Sequence, residues 1–397
     1  MNDEILSKEV QVFINENLNS DTHKILLKKS PFPKVSTKEL VIQIESKNKS
    51  IHKLPTWFAT ENIYYPKKRN LSQSSSEVTA GYKASLVRGD TLVDVTAGFG
   101  VDCVAFSGTM KEVTYVDSNK TLSEIAKHNF KQLGISSIGV HSGDGIAFLQ
   151  GTDACFDWIY LDPSRRDSEH KKVYFLSDCE PDMTAHSALL FSKSNNILVK
   201  TGPLLDLSQG LKQLDHVKEI HIVAVSNDVK EVLWLLEKNF IQEPYIKTVN
   251  FTKNILERFN FYRSEEDENV STFSLPQDYL YEPNAAILKA GAFKSLGLTH
   301  HLDKLHIHSH LYTSTEHITF PGRVFKIVHS VPYSNRAFKK LSITKANVTT
   351  RNFPDSVTMV RKKLDLKDGG ELYVFCTTDL NEKLVLLVCT QIFEDSY

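Results

Sequence analysis

Three short apolar runs, each leading straight into an aspartate, constrain this chain more than any other feature. The runs are residues 91–93, 113–116 and 158–161, and the aspartates are Asp94, Asp117 and Asp162. Helical segments follow the first two runs. Strands alternating with helices build βαβ units and a parallel sheet, so the expected fold class is α/β. Ligands of such a sheet bind beyond the carboxyl ends of its strands. The three carboxylates should therefore line one crevice.

Gly98 and Gly100 lie between the first strand and its helix. Without a Cβ they let the backbone turn tightly and approach a ligand. Asp117, at the end of the next strand, suits a bidentate bond to a ribose diol. Dinucleotide-binding folds share these features, but two details differ. Their third glycine would fall at Cys103, and their first strand does not normally carry a carboxylate such as Asp94 just ahead of the glycines. An aspartate there fits a cationic ligand better than a pyrophosphate. S-adenosylmethionine is such a ligand, with an ammonium, a sulfonium, a ribose and an adenine.

At these positions the chain resembles a known family. DVTAGFGVD (94–102) looks like motif I of the class I S-adenosylmethionine-dependent methyltransferases. YVDSN (115–119) resembles the acidic motif that follows it, and SGDGIAFL (142–149) the adenine-side motif. LDPSRRD (161–167) is similar to the motif IV loop beside the transferred methyl. The Asp-Pro-Ser-Arg-Arg form, together with KANVTTRNFP and LKDGGELYVF near the C-terminus, resembles the bacterial subgroup that carries a THUMP-like domain. THUMP domains in relatives bind RNA.

The resemblance implies a Rossmann-like class I sheet, mostly parallel with an antiparallel last strand, flanked by a helical N-terminal region and a small C-terminal α/β module. It implies S-adenosylmethionine as cofactor, held by Asp94, Thr96, Ala97, Gly98, Gly100, Asp117, Ser118, Asp144 and Gly145. Gln73, Ser74 and Ser75 sit where family members close a segment over the methionine end, though Ser76 nearby also suits a helix cap. Asp144 suits either the adenine amino group or the cap of the next helix, and the two roles are compatible. On the acceptor side, Asp162, Pro163, Ser164 and Arg165 are the catalytic candidates. Arg165, Arg166 and Lys200 are the substrate-binding candidates. Amine-methylating relatives have Pro-Pro and an aromatic ring where this chain has Ser164 and Arg165, which argues against exocyclic-amine transfer. The arginines suit a phosphate or a base; the alternative is pairing with Asp167, Glu169 or Asp182. Carbon-5 pyrimidine transfer needs a cysteine nucleophile. Nothing in the sequence activates the nearest one, Cys179, which reads as structural.

Five cysteines, scattered and without CxxC spacing, suggest reduced thiols, a cytoplasmic location and no disulfide framework. No metal-ligand spacing appears. No run approaches the roughly 18 apolar residues of a membrane span, and no signal-peptide pattern opens the chain, so no membrane partner is expected. Charge is uneven. Lys and Arg number 13 against 9 Asp and Glu in residues 1–84, 19 against 29 in 85–284, and 15 against 10 in 285–397. Basic flanks around an acidic centre suit a polyanion; ordinary variation is the alternative. The oligomeric state stays open.

The rest of the chain gives the domain plan. Residues 1–70 read as a helical region, with Ile5, Val10, Val12, Phe13, Leu26, Leu27, Val41, Ile42 and Ile44 at helical spacing. Residues 71–265 form the methyltransferase domain, in which Lys83 reads as a solvated helix charge. Its later part holds strand 219–225, a helix at 229–239, and strands near 245–251 and 258–263 that pair antiparallel. The polar, acidic stretch 264–278 reads as tether, and the linker is placed at 266–282. A helix is expected from Ala285 to Leu296, within a small α/β connecting, ferredoxin-like segment at 283–320. The THUMP-like domain follows at 321–397, where Arg351, Lys362 and Lys363 are candidate phosphate contacts. The function this suggests is methyl transfer to RNA. The rival readings are a small-molecule or protein methyltransferase, and a non-catalytic RNA-binding protein on the same scaffold.

Overall fold

The computed structural model describes residues 1–165, 176–253 and 255–393. The chain divides into two compact units, residues 1–217 with 234–241 and residues 218–233 with 242–397.

The first unit opens with α1 (Lys8–Glu16), α2 (Thr22–Leu26), α3 (Thr37–Lys53), α4 (Pro55–Ala59), α5 (Lys68–Gln73) and α6 (Glu77–Leu86). Local chemistry sets their ends. Asp21 caps α2, and Ser36 with Glu39 forms a full capping box on α3. Ser76 caps α6, and Thr79 Oγ1 takes the place of the usual glutamate by accepting from Ser76 N at 3.2 Å. Ile5, Val10, Ile14, Val35, Leu40 and Ile44 bury together, whereas Val12, Leu26 and Leu27 face solvent.

Strands and helices then alternate as β1 (Thr91–Asp94), α7 (Val101–Phe106), β2 (Glu112–Asp117), α8 (Lys120–Gln132), β3 (Ile138–Ser142), α9 (Gly145–Gly151) and β4 (Phe156–Leu161). Two-residue strands β5 (Ser164–Arg165) and β6 (Cys179–Glu180) pair with each other. They are followed by α10 (Met183–Lys193), β7 (Ser194–Thr201) and α11 (Leu207–Gln213). β7, β4, β1, β2 and β3 lie side by side in that order, all parallel. Leu92, Val93, Ile159 and Leu161 are fully buried, as a strand covered on both faces requires.

Residues 229–239, expected as a helix, are instead strand β9 (Asp228–Glu237), which neighbours both β7 and β8 (Val217–Val225). Ser226 and Asn227 join β8 and β9 with φ of +52° and +62°. Two left-handed residues make the tight turn whose twist suits a hairpin. Val232 to Leu236 are buried without interruption, and such a run does not reveal its period to sequence reading.

In the second unit β10 (Tyr245–Phe251) pairs parallel with β8 and antiparallel with β11 (Leu256–Tyr262), as the sequence suggested for these two runs. The stretch expected as a tether carries α12 (Arg263–Glu268). Its acid groups cap helices. Glu265 accepts from Tyr262 N, and the Glu266 carboxylate accepts from the amides of Phe293, Lys294 and Ser295 at 2.8–3.0 Å. The helix expected over 285–296 is two helices, α13 (Ala285–Ala290) and α14 (Phe293–Thr299), because Gly291 turns left-handed at φ +79°.

A second sheet contains β12 (Tyr279–Pro283), β13 (Asp303–Lys304), β14 (Tyr312–Ser314), β15 (Gly322–Pro332), β16 (Asn347–Arg351), β17 (Leu372–Thr378) and β18 (Leu384–Ile392), with α15 (Asn335–Lys339) and α16 (Val357–Leu364) between strands. Their order is β13–β14–β12–β15–β18–β17–β16. Alternate residues of β17 and β18 feed two cores. Val374, Cys376, Leu386 and Val388 pack with Val360 and Leu364, while Phe375, Leu387 and Cys389 pack with Leu280 and Phe325.

Candidate active site

β1 ends in Asp94, which is 1 % exposed. Its carboxylate accepts from Thr96 N at 3.0 Å and from Cys103 Sγ at 3.4 Å. The loop beyond it turns at Gly98 and Gly100, at φ +56° and +86°. A Cβ on Gly100 would lie 2.6 Å from Phe130 Cζ, so the glycine also admits α8. Gly98 N donates to Asp117 Oδ2 at 2.8 Å, Asn119 N donates to Oδ1 at 2.7 Å, and Tyr115 OH donates to Gly98 O at 2.7 Å. The β2 carboxylate and the glycine loop are therefore one rigid piece. Ala97 is buried and its amide donates to Val116 O; Ser118 is exposed. Asp144 is exposed and caps α9 by accepting from Ala147 N at 2.8 Å. A Cβ on Gly145 would meet Val95 O at 2.2 Å, so this glycine seats the start of α9 against the end of β1.

The β4 end joins the same group. Asp162 N donates to Thr96 Oγ1 at 2.7 Å, and that hydroxyl lies 3.4 Å from Asp94 Oδ1. Thr96 thus links the cofactor-side candidate to the acceptor-side candidate. Lys200, at the end of β7, forms an ion pair with Asp162. Pro163 is half-buried and Ser164 exposed; the backbone of Arg165 lies opposite Cys179 in the short β5–β6 pair. Arg166 lies outside the described residues, as do Asp167 and Glu169.

Gln73 ends α5 in solvent, and Ser74 Oγ donates to Leu71 O at 2.9 Å. Ser75 is buried, with Oγ donating to Asp102 Oδ2 at 2.8 Å and accepting from Lys83 Nζ at 3.0 Å. Lys83 is no solvated charge. It is fully buried and pairs with Asp102 at 3.2 Å. Tyr160 OH donates to Asp102 at 2.9 Å. Sequence reasoning missed this cluster, although one signal was present: Lys83 shares a helical face with the buried Thr79, Ala80 and Ala84. Trp57 of α4 packs on the loop, its ring centroid 4.6 Å from that of Phe99.

Comparison with solved structures places this arrangement. A crystal structure described as a "putative methyltransferase from Porphyromonas gingivalis W83" is 32% identical, covers 98% of both chains and superposes with a TM-score of 0.87. Residues 322–391 match the model of a THUMP domain-like family. The chain belongs to the class I methyltransferase subgroup with a C-terminal THUMP-like domain. Within it, residues 279–321 match a ferredoxin-like domain. An O-methyltransferase from Bacillus cereus in complex with SAH is 13% identical over 44% of this chain and 92% of its own, with a TM-score of 0.33. A "putative RNA methyltransferase" from Pyrococcus horikoshii is 14% identical over 41% and 83%, with a TM-score of 0.30. Neither bears on what this chain acts upon. No curated protein matches it.

The electrostatics of this methyltransferase fold are uneven. Burial pushes the Asp94 carboxyl well up, and the nearby charges of Asp102 and Asp162 add to it against the Thr96 amide and the Cys103 thiol. Asp94 has no ion-pair partner among the described residues. Asp102 is buried too, yet Lys83 and Lys200, with hydrogen bonds from Ser75 and Tyr160, hold its carboxyl below the usual value. Burial raises Asp117 despite the Asn119 and Gly98 amides. No helix among the described residues is long and apolar enough to cross a membrane.

Proposed function

We propose that the protein is an S-adenosylmethionine-dependent methyltransferase whose acceptor is RNA. The observation that carries the cofactor is Asp94: a buried strand-end carboxylate without a cationic partner, beside a glycine loop rigidly tied to Asp117. The donor set fits the group. Asp94 would face its positive charge, Asp117 the ribose hydroxyls, and Asp144 with Gly145 the adenine. Thr96, Ala97, Gly98, Gly100 and Ser118 complete the cradle, and Gln73 and Ser74 offer polar groups to the amino-acid tail. When bound, the cofactor supplies an electrophilic methyl on a sulfonium. The chain's own contribution is positioning. Asp162, oriented by Pro163 and held by Thr96 and Lys200, would align the acceptor together with Ser164.

RNA is supported by Arg165 and Arg166 in the loop that Asp162 opens, by the basic flanks of the chain, and by the THUMP domain-like match. Calorimetry should show that the wild type binds S-adenosylmethionine; absence of binding by folded protein sinks the reading. Arg165→Ala and Arg166→Ala should keep cofactor affinity while weakening RNA binding, and wild-type RNA affinity should fall as salt rises. Comparison of modified nucleosides from wild-type and deletion cells by mass spectrometry identifies the acceptor. An unchanged nucleoside pool would point to a small-molecule or protein acceptor.

A further inference from the structure

Asp102 gathers four elements of the first unit. It is the second residue of α7, directly after the glycine loop. Its Oδ2 accepts from Ser75, in the middle of the segment between α5 and α6, and from Tyr160 on β4, two residues before Asp162. Its Oδ1 receives no hydrogen bond and faces Lys83 Nζ of α6 at 3.2 Å. Lys83 also donates to Ser75 Oγ at 3.0 Å.

Such a cluster is an expensive way to hold a core. Apolar side chains of similar volume hold packed elements at least as firmly. What a buried charged set adds is one registry, because any slip leaves an ammonium or a carboxylate uncompensated. Here the registry fixes Ser75, buried and with its proton committed to Asp102. That leaves the amide of exposed Gln73 and the acceptor lone pairs of half-buried Ser74, whose own proton goes to Leu71 O, as the polar groups the segment can offer. The carboxylate they are registered against follows the Gly98–Gly100 turn.

We infer that the buried Lys83–Asp102 ion pair is a positioning device that fixes the Gln73–Ser75 segment against the glycine loop and so sets affinity for the amino-acid tail of the cofactor. The inference rests on the S-adenosylmethionine reading. The tail is a zwitterion whose recognition needs donors and acceptors held at fixed separation. The adenosine end is met by different residues, Asp117 and Asp144, which the cluster does not touch. Lys83 and Asp102 therefore act through Ser75 and the loop, not by contact.

The test compares three ligands by calorimetry: S-adenosylmethionine, S-adenosylhomocysteine, and 5′-methylthioadenosine, which keeps the nucleoside and lacks the amino-acid tail. The double variant Lys83→Met, Asp102→Asn removes both charges together, so neither is left buried alone. Both tail-bearing ligands should weaken by about tenfold or more, with 5′-methylthioadenosine within about twofold of wild type. Ser75→Ala, which cuts a single link, should give the same pattern at smaller size and carries the comparison if the double variant does not fold. Equal weakening of all three ligands, or wild-type affinity for all three in folded variants, overturns the inference. If the wild type binds none of the three, it is the cofactor reading that has failed, and the inference falls with it.

Discussion

Two buried carboxylates, one in each unit, are treated in opposite ways. In the second unit Glu282 is 3 % exposed and closed on both sides. Arg323 donates to Oε2 through Nε at 2.7 Å and through Nη2, and Arg351 donates to Oε1 at 2.9 Å. Arg323 also lies over the rings of Phe325 and Tyr373. In the first unit Asp94 is buried as deeply, beside other carboxylates, and receives hydrogen bonds from the Thr96 amide and hydroxyl and the Cys103 thiol but no cation among the described residues. A buried charge is tolerated when it is paired and hydrogen-bonded. Glu282 meets that condition within the chain and so serves structure. Asp94 does not, and this is what the proposed cofactor role of Asp94 rests on. Arg351, read from sequence as a phosphate contact, is partly committed to the internal pairing.

The sharpest way to break this contrast is Glu282→Ala. It leaves two guanidinium groups facing each other and should destabilise the second unit by about 2–4 kcal/mol, below the usual cost of breaking a buried pair because both arginines are about a third exposed. Urea unfolding measures it, and a loss under about 1 kcal/mol would place Glu282 with ordinary surface pairs. Asp117→Ala should come next, weakening cofactor binding by about 1–3 kcal/mol through a lost charged hydrogen bond.

Asp94→Asn tests the other half of the contrast. Cofactor affinity should fall at least about tenfold, or about 1.4 kcal/mol, while the ligand-free protein keeps or gains stability at neutral pH. A variant that unfolds instead would show Asp94 to be as structural as Glu282.

The smallest effect expected is the pH dependence. Asp94 is raised in the fold, so above the ordinary carboxylate range the ligand-free protein holds protons that the unfolded chain has released. Its stabilising contribution is present at low pH and is lost as pH rises through the raised value. A bound cation favours the ionised form, so cofactor affinity should climb with pH over that window and flatten in Asp94→Asn. Calorimetry in buffers of different ionisation enthalpy would detect the proton released; pH-independent affinity with no proton release would remove Asp94 from contact with the positive charge.

Much of the first unit was legible because its signals are local. An apolar run ending in aspartate, two glycines that must turn left-handed, and a capping aspartate at 144 each act within a few residues. Strand β9 was not legible. Val232 to Leu236 bury on both faces, and only the left-handed pair at Ser226 and Asn227 marks the hairpin. Gly291 ends α13 in a left-handed turn, a stop signal that the apolar spacing on either side of it masked. The acid groups at 265 and 266 read as solvated tether because the amides they cap belong in part to a helix almost thirty residues away.

The sequence by itself determined the alternation of strand and helix from β1 to β4 and the residue types at those strand ends, since these follow from periodicity and backbone sterics. Only the tertiary structure decided which charges are compensated. Whether Lys83 is solvated or sealed against Asp102, whether Arg351 is free or shared with Glu282, and whether Asp94 keeps a partner are set by burial and by neighbours far along the chain. The energy of a charge depends on the dielectric and the counter-charges around it, and neither is written in the residues beside it.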